Sequence, residues 1–319
     1  MDLKFLPRAR RNKGRNFKST TLGLALLFTA LPNLATASDR LAPMPAGSLF
    51  DHGRHFEEPA ESPADMIPQG RVASGAGLTA WFAGATERYG HAVLGDAIEA
   101  GRLVVSDGNA EHVHDLDRDS VFEDLEPRIV DADGDGRPEI LTIKSYLRAG
   151  ATIALYGLRD GALAALAEAP PIGTPHRWLN PAGVADYDGD GAPEIALIET
   201  PHIGGILILY RWDGGAGLKA VNRLAGYSTH RIGSTVLAMS HSHDWTGDGV
   251  VDLLLPRQNR AVLALVTAAG GTLREIAHVR HKAEIVTRLV EIAAMDGGAK
   301  LLYGLADGSA WTLSLPGAP

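Results

Sequence analysis

The sequence predicts an all-β repeat fold, a β-propeller or a solenoid, and three observations carry that reading. A ten-residue Asp/Gly motif occurs three times, beginning at Asp131, Asp186 and Asp244, at intervals of 55 and 58 residues. Each copy leads into a short run of branched apolar residues: Ile140 to Ile143, Ile195 to Ile198, and Leu253 to Leu255. Glycine turns such as Asp160-Gly161 and the stretch from Asp213 to Gly217 punctuate what lies between. A fixed period of several tens of residues, filled with short strands and turns, is how propellers and solenoids look in sequence.

The first motif reads Asp131-Ala132-Asp133-Gly134-Asp135-Gly136-Arg137-Pro138-Glu139-Ile140. The second reads Asp186-Tyr187-Asp188-Gly189-Asp190-Gly191-Ala192-Pro193-Glu194-Ile195, and the third Asp244-Trp245-Thr246-Gly247-Asp248-Gly249-Val250-Val251-Asp252-Leu253. Each offers side-chain oxygens at positions 1, 3, 5 and 9 and glycine at positions 4 and 6. A hard cation such as Ca2+ takes about six to eight oxygens at about 2.3–2.6 Å, which requires a tightly wrapped backbone presenting carboxylates from alternate positions. Glycine at position 6 permits the sharp turn, because without a Cβ it takes positive φ freely. The expected ligands are therefore Asp131, Asp133, Asp135 and Glu139; Asp186, Asp188, Asp190 and Glu194; and Asp244, Thr246, Asp248 and Asp252. The carbonyls of Arg137, Ala192 and Val250 would contribute at position 7. The third loop has Thr where the others have Asp at position 3, so its affinity should be lowest. The bland alternative is three Asp/Gly-rich turns that hold no metal. An EF-hand is excluded, since it needs a bidentate Glu at position 12 and these loops have Thr142, Leu197 and Leu255 there.

In these residues the chain resembles the FG-GAP repeat family, also called VCBS, over roughly residues 90–315. The resemblance implies that each unit is a four-stranded blade of a calcium-binding β-propeller, with the cation loop joining a blade's first and second strands. It leaves function open, because the family spans adhesion receptors related to integrin α chains, lectin-like modules and a few enzymes. In the middle unit the strands should fall near 182–186, 194–199, 205–212 and 218–224. Weaker copies flank the three motifs, one around Ile292 to Leu302 and one in His91 to Asp96 followed by Arg102 to Val105. The expected architecture is a propeller of about five blades, or four, with calcium in the central three, over residues 71–319.

Seven Lys/Arg and one acid occupy residues 1–18, and an apolar segment from Leu22 to Leu34 ends in Ala35-Thr36-Ala37. This is the pattern of a secretory signal peptide cleaved near Ala37, with an apolar run too short to be a stable membrane span. The expected location is the bacterial periplasm or medium. Taking those residues from totals of 30 Lys/Arg and 38 Asp/Glu leaves 23 against 37, a net −14, which argues against nucleic acid as a partner. There is no Cys, so calcium would serve as the staple. Residues 38–70 carry five Pro among acidic and small residues and read as a disordered linker.

In the resembling family, ligand sites commonly lie on the face opposite the cation loops. His176, Arg177 and Trp178, with His202, His230 and Arg231, are then the candidate ligand-binding residues. Converging guanidinium forks suit carboxylates and phosphates, and an aromatic ring stacks on a sugar. An anionic glycan or an envelope protein is the expected partner of a binding or scaffolding module. The alternative is a calcium-dependent hydrolase or polysaccharide lyase acting on an anionic substrate. No catalytic residue is assigned, since no nucleophile elbow, H-E-x-x-H or phosphate loop occurs. His241 and His243 precede Asp244 and read as neighbours of the third loop.

Overall fold

The computed structural model describes residues 41–50, 52, 62–215, 217–295 and 297–316. The chain divides into Met1–Leu34 and Ala35–Pro319, and every described residue lies in the second unit. The expected signal segment lies outside the described residues.

Strands are the regular elements. After β1 (Met44–Ser48), the strands β2 (Ala73–Gly75), β3 (Leu78–Thr86), β4 (Glu99–Ser106) and β5 (Glu111–Asp115) form an antiparallel meander. The short β6 (Ser120–Phe122) pairs with both β4 and β8 and so ties this meander to the next, made of β7 (Arg128–Val130), β8 (Glu139–Tyr146), β9 (Gly150–Arg159) and β10 (Ala162–Glu168). A separate sheet contains β11 (Leu179–Ala185), β12 (Glu194–Glu199), β13 (Ile206–Arg211) and β14 (Lys219–Ala225). Another contains β15 (His241–His243), β16 (Asp252–Pro256), β17 (Val262–Thr267) and β18 (Arg274–Arg280). The last C-terminal strands, β19 (Val290–Ala293), β20 (Ala299–Gly304) and β21 (Ser309–Ser314), acquire their fourth member from the other end of the chain, because β1 pairs with β21.

Within residues 38–70, read from the sequence as a disordered linker, Met44–Ser48 is instead a strand. Met44–Ser48 has no apolar alternation, but as the edge of a sheet it needs only backbone pairing to β21. The supposed first motif copy at His91 to Asp96 is also corrected. It joins β3 to β4, whereas the turn between β2 and β3 is the two-residue Ala76-Gly77. Both residues of that turn have positive φ (48° and 77°), as do Asp160 and Gly161 (52° and 79°) between β9 and β10. This is the type I′ pattern, whose twist matches that of the flanking strands.

The apolar runs that signalled strands are the second and third strands of each meander. β8, β12, β16 and β17 are buried almost throughout, and β9 over its first eight residues. Fourth strands such as β10 alternate between buried and accessible residues, as a strand with one wet face does. Neighbouring sheets share cores. Ile198 and Leu209 pack with Leu253 and Val266, and Leu254 and Leu265 pack with Leu301 and Leu313.

Candidate functional site

Each of the three Asp/Gly motifs joins the first and second strands of its meander. A Cβ added to Gly134 would lie 3.4 Å from Pro193 Cδ, and one on Gly189 would lie 2.9 Å from Val250 Cγ2, so the three loops lie side by side. Gly134 and Gly136 take φ of 78° and 82°, and the paired glycines of the other two loops are likewise positive. The position 4 and position 6 amides thereby turn inward onto the position 1 carboxylate. Asp131 accepts from the N–H groups of Gly134 (2.8 Å) and Gly136 (2.9 Å), Asp186 from Gly189 (2.7 Å) and Gly191 (2.8 Å), and Asp244 from Gly247 (2.5 Å) and Gly249 (2.9 Å).

The position 9 carboxylates sit at the base of the loops with no exposed surface. Glu139 accepts from the Ala132 N–H at 3.2 Å and Glu194 from the Tyr187 N–H at 2.9 Å. Asp252 is one methylene shorter and accepts one residue later, from the Thr246 N–H at 3.0 Å. Burial pushes the carboxyls of Glu139 and Asp252 up from the ordinary range. Ligand oxygens of Asp131, Asp133 and Glu139 lie within 4.8 Å of one another, as do those of Asp186, Asp188 and Glu194. Asp252 Oδ1 is buried with no hydrogen-bond partner. The oxygen-only donor sets of the first two loops, and in the third loop the orphan acceptor of Asp252, suit a hard divalent cation.

The loops differ in what the third strand brings to them. Arg159 donates to Glu139 Oε1 at 2.8 Å. Arg211, directly opposite Glu194 in the β12–β13 register, donates to Asp190 Oδ2 at 2.7 Å and Asp188 Oδ2 at 3.0 Å and also contacts Glu194. At the same place on β17 stands Thr267. Asp135 turns outward to Arg137, which holds its carboxyl below the usual range.

At the opposite ends of the strands three of the six expected residues, Trp178, His202 and His230, pack against one another. Trp178 is 2% exposed and His230 is fully buried. Trp178 donates its indole N–H to the Glu123 carbonyl at 2.8 Å and stacks under His202, with ring centroids 6.0 Å apart. These two residues are thus the floor of the face, which corrects their assignment as ligand contacts. His202 Nε2 lies 2.8 Å from His230 Nδ1, and burial lowers their pKa values to about 3 and about 4. His176, at φ 56°, is exposed; its backbone N–H donates to the Tyr89 hydroxyl oxygen at 2.7 Å, and its ring stacks on His91 at 5.2 Å. Arg177 is half-buried and Arg231 exposed, on equivalent connections leaving β10 and β14.

Sequence reasoning missed the group beneath His176. His91 Nδ1 lies 2.5 Å from Glu123 Oε1, whose other oxygen accepts from the Ser145 hydroxyl. Glu123 is 2% exposed, and burial raises its carboxyl pKa. The three residues come from three separate connections and strands, so no spacing rule joins them. His241 and His243 are bonded away from the third loop, to Glu291 Oε1 (2.6 Å) and the Pro316 carbonyl (2.8 Å).

Residues 128–197 match the family model of the FG-GAP-like repeat. That segment runs from β7 to β12 and contains the first two Asp/Gly loops; the third motif lies beyond the match. No curated protein matches the chain.

Proposed function

We propose that the chain is an exported, calcium-stabilised β-propeller of five blades that acts as a binding module for an anionic glycan. The five four-stranded meanders would be the blades, with β1 closing the ring on β21. Asp131, Asp133 and Glu139, with their counterparts in the second and third loops, would hold Ca2+. The ion would be structural: it supplies charge that fixes the carboxylates bridging two strands, and by binding the folded chain alone it stabilises it by RT ln(1 + [L]/Kd) per site. Its readout is melting temperature in millimolar calcium against chelator, and equal values would exclude the structural role.

The observation that carries the ligand reading is a set of guanidinium groups without ion pairs at one end of the strands. Carboxylates crowd the cation loops at one end of the strands. At the other end Arg118, Arg148, Arg177 and Arg231 form no ion pair with any described residue, in a chain whose net formal charge is −8. Guanidinium groups left without acids suit an anionic partner. The test is capture by immobilised acidic and neutral polysaccharides in calcium and in chelator. Retention on the acidic polymer, weakened by salt, supports the reading; equal retention on the neutral polymer, or capture of an envelope protein alone, replaces it.

One observation favours a hydrolase or lyase as a second reading. His91 is held by a buried carboxylate, an arrangement that suits an imidazole to proton transfer. Turnover of an acidic oligosaccharide lost in His91→Ala would establish it.

A further inference from the structure

The connection between the first two meanders carries a cleft of about 800 Å³ lined by Arg118, Asp119, Tyr146, Arg148 and Pro171, among others. We propose that this cleft is the site for the carboxylate-bearing sugar of an acidic saccharide; the proposal rests on the anionic-glycan reading above and gives it an address.

The register of β6 on β8 builds the cleft. Ser120 pairs with Tyr146, and the ladder runs one step further as the Leu147 N–H donates to the Asp119 carbonyl at 2.9 Å. Beyond that bond both chains turn away, through Asp117 to Ser120 and through Tyr146 to Ala149, and the two turns bring Arg118 and Arg148 to the rim of the same cleft. Both side chains are exposed and form no ion pair with a described residue. Two acids line the cleft with them: Asp119 accepts from the Ser120 hydroxyl at 3.0 Å, Glu168 pairs with Lys144, and neither pairs with an arginine. Arg118 is also held in place from below. The Arg88 guanidinium donates to the carbonyls of Ser120 (2.8 Å) and Asp117 (3.3 Å) and so pins the turn that bears Arg118.

Tyr146 supplies an aromatic ring to the same cleft. The Lys144 ammonium lies 4.5 Å from its centroid, donates to its hydroxyl at 2.8 Å, and is itself neutralised by Glu168 at 3.0 Å. That network fixes the Tyr146 ring without using the two arginines. A half-buried ring beside two unpaired forks, with Leu147 and Pro171 as apolar walls, matches a pyranose that carries an acid. The ring would stack on the sugar while the guanidinium groups take the carboxylate. The volume is in the range of about 300–1,000 Å³ usual for small-molecule sites.

The experiment is calorimetric titration of the full chain, in calcium, with tetragalacturonate, its neutral galactose counterpart, and inorganic phosphate. Binding of the acidic oligomer and not the neutral one is expected. Arg118→Gln and Arg148→Gln should each weaken it about tenfold, the loss of one charge-assisted hydrogen bond. Tyr146→Leu should weaken it while Tyr146→Phe retains it. Arg177→Gln and Arg231→Gln are the comparison. Loss in those two with none in Arg118→Gln or Arg148→Gln overturns the cleft and leaves the anionic face standing. Phosphate binding as tightly as the saccharide overturns the sugar and leaves an anion site. No binding of any of the three overturns both proposals.

Discussion

Asp186 shows how much of a cation loop hangs on one residue. Its carboxylate receives the amides of Gly189, Asp190 and Gly191 at 2.7–3.1 Å, so it fixes the loop before any ion is considered. Asp186→Ala should lower the melting temperature by about 2–6 °C even in chelator, and Asp186→Asn should lower it less while abolishing calcium binding to that loop. Thermal melts with and without calcium separate the two. The buried imidazoles give a second prediction. An unfolded histidine protonates near pH 6.5, whereas His202 and His230 in the fold do so only near about 3 and about 4. Between those values the unfolded chain binds more protons, so stability should fall as pH drops from 6.5 toward 4 and be fully restored above 6.5. Glu123, whose carboxyl pKa is raised, has the opposite sign, so the diagnostic is a difference. His202→Gln should lose less melting temperature than the native chain between pH 7.5 and 5. Equal losses would remove His202 from the account.

At the scale of elements, the strand–loop–strand unit was legible because its chemistry is local. Three or four acids, two glycines and the start of an apolar run lie within ten residues, and the expected strand at 194–199 coincides with β12. What a neighbouring strand brings to the loop was not legible. Thr246 alone pointed to the third loop as the weakest site. Arg211, which stands 17 residues after Glu194, adds a term that only the β12–β13 register reveals. The second loop carries its own counter-charge, and the third, with Thr267 in that place, does not. Arg211→Gln should therefore tighten calcium binding to the second loop by about tenfold and lower the melting temperature in chelator, where Asp188, Asp190 and Glu194 would repel one another unopposed. Calorimetry on the native chain and the variant checks this, and identical isotherms would exclude competition by the arginine. The face opposite the loops was half legible. The recurrence of His-Arg at 176–177 and 230–231 identified equivalent connections, yet Trp178 and His230 turned out to be its floor. Sequence shows that an aromatic residue lies on a loop, but not whether its neighbours cover it.

For the molecule as a whole, the sequence concealed the joining of the two ends of the described chain. Nothing in Met44-Pro45-Ala46-Gly47-Ser48 resembles a strand, because its identity as one is supplied by β21, with Met44 opposite Thr312. Removing residues 1–61 should lower the melting temperature and leave the edge of β21 unpaired. Such an edge is a template for pairing with another chain, so the truncated protein should elute as a dimer or larger species in size-exclusion chromatography. A monomer melting like the full chain would show β1 to be dispensable. The pairing also sets a timetable. A chain that emerges from its amino end releases β1 first and β21 last, so the earliest strand must wait for some 260 residues to follow before it can be seated. Contacts between distant parts of a chain form late and slowly. Seating β1 is therefore an event of Ser309–Ser314, and a chain stopped short of that strand leaves Met44–Ser48 without its partner.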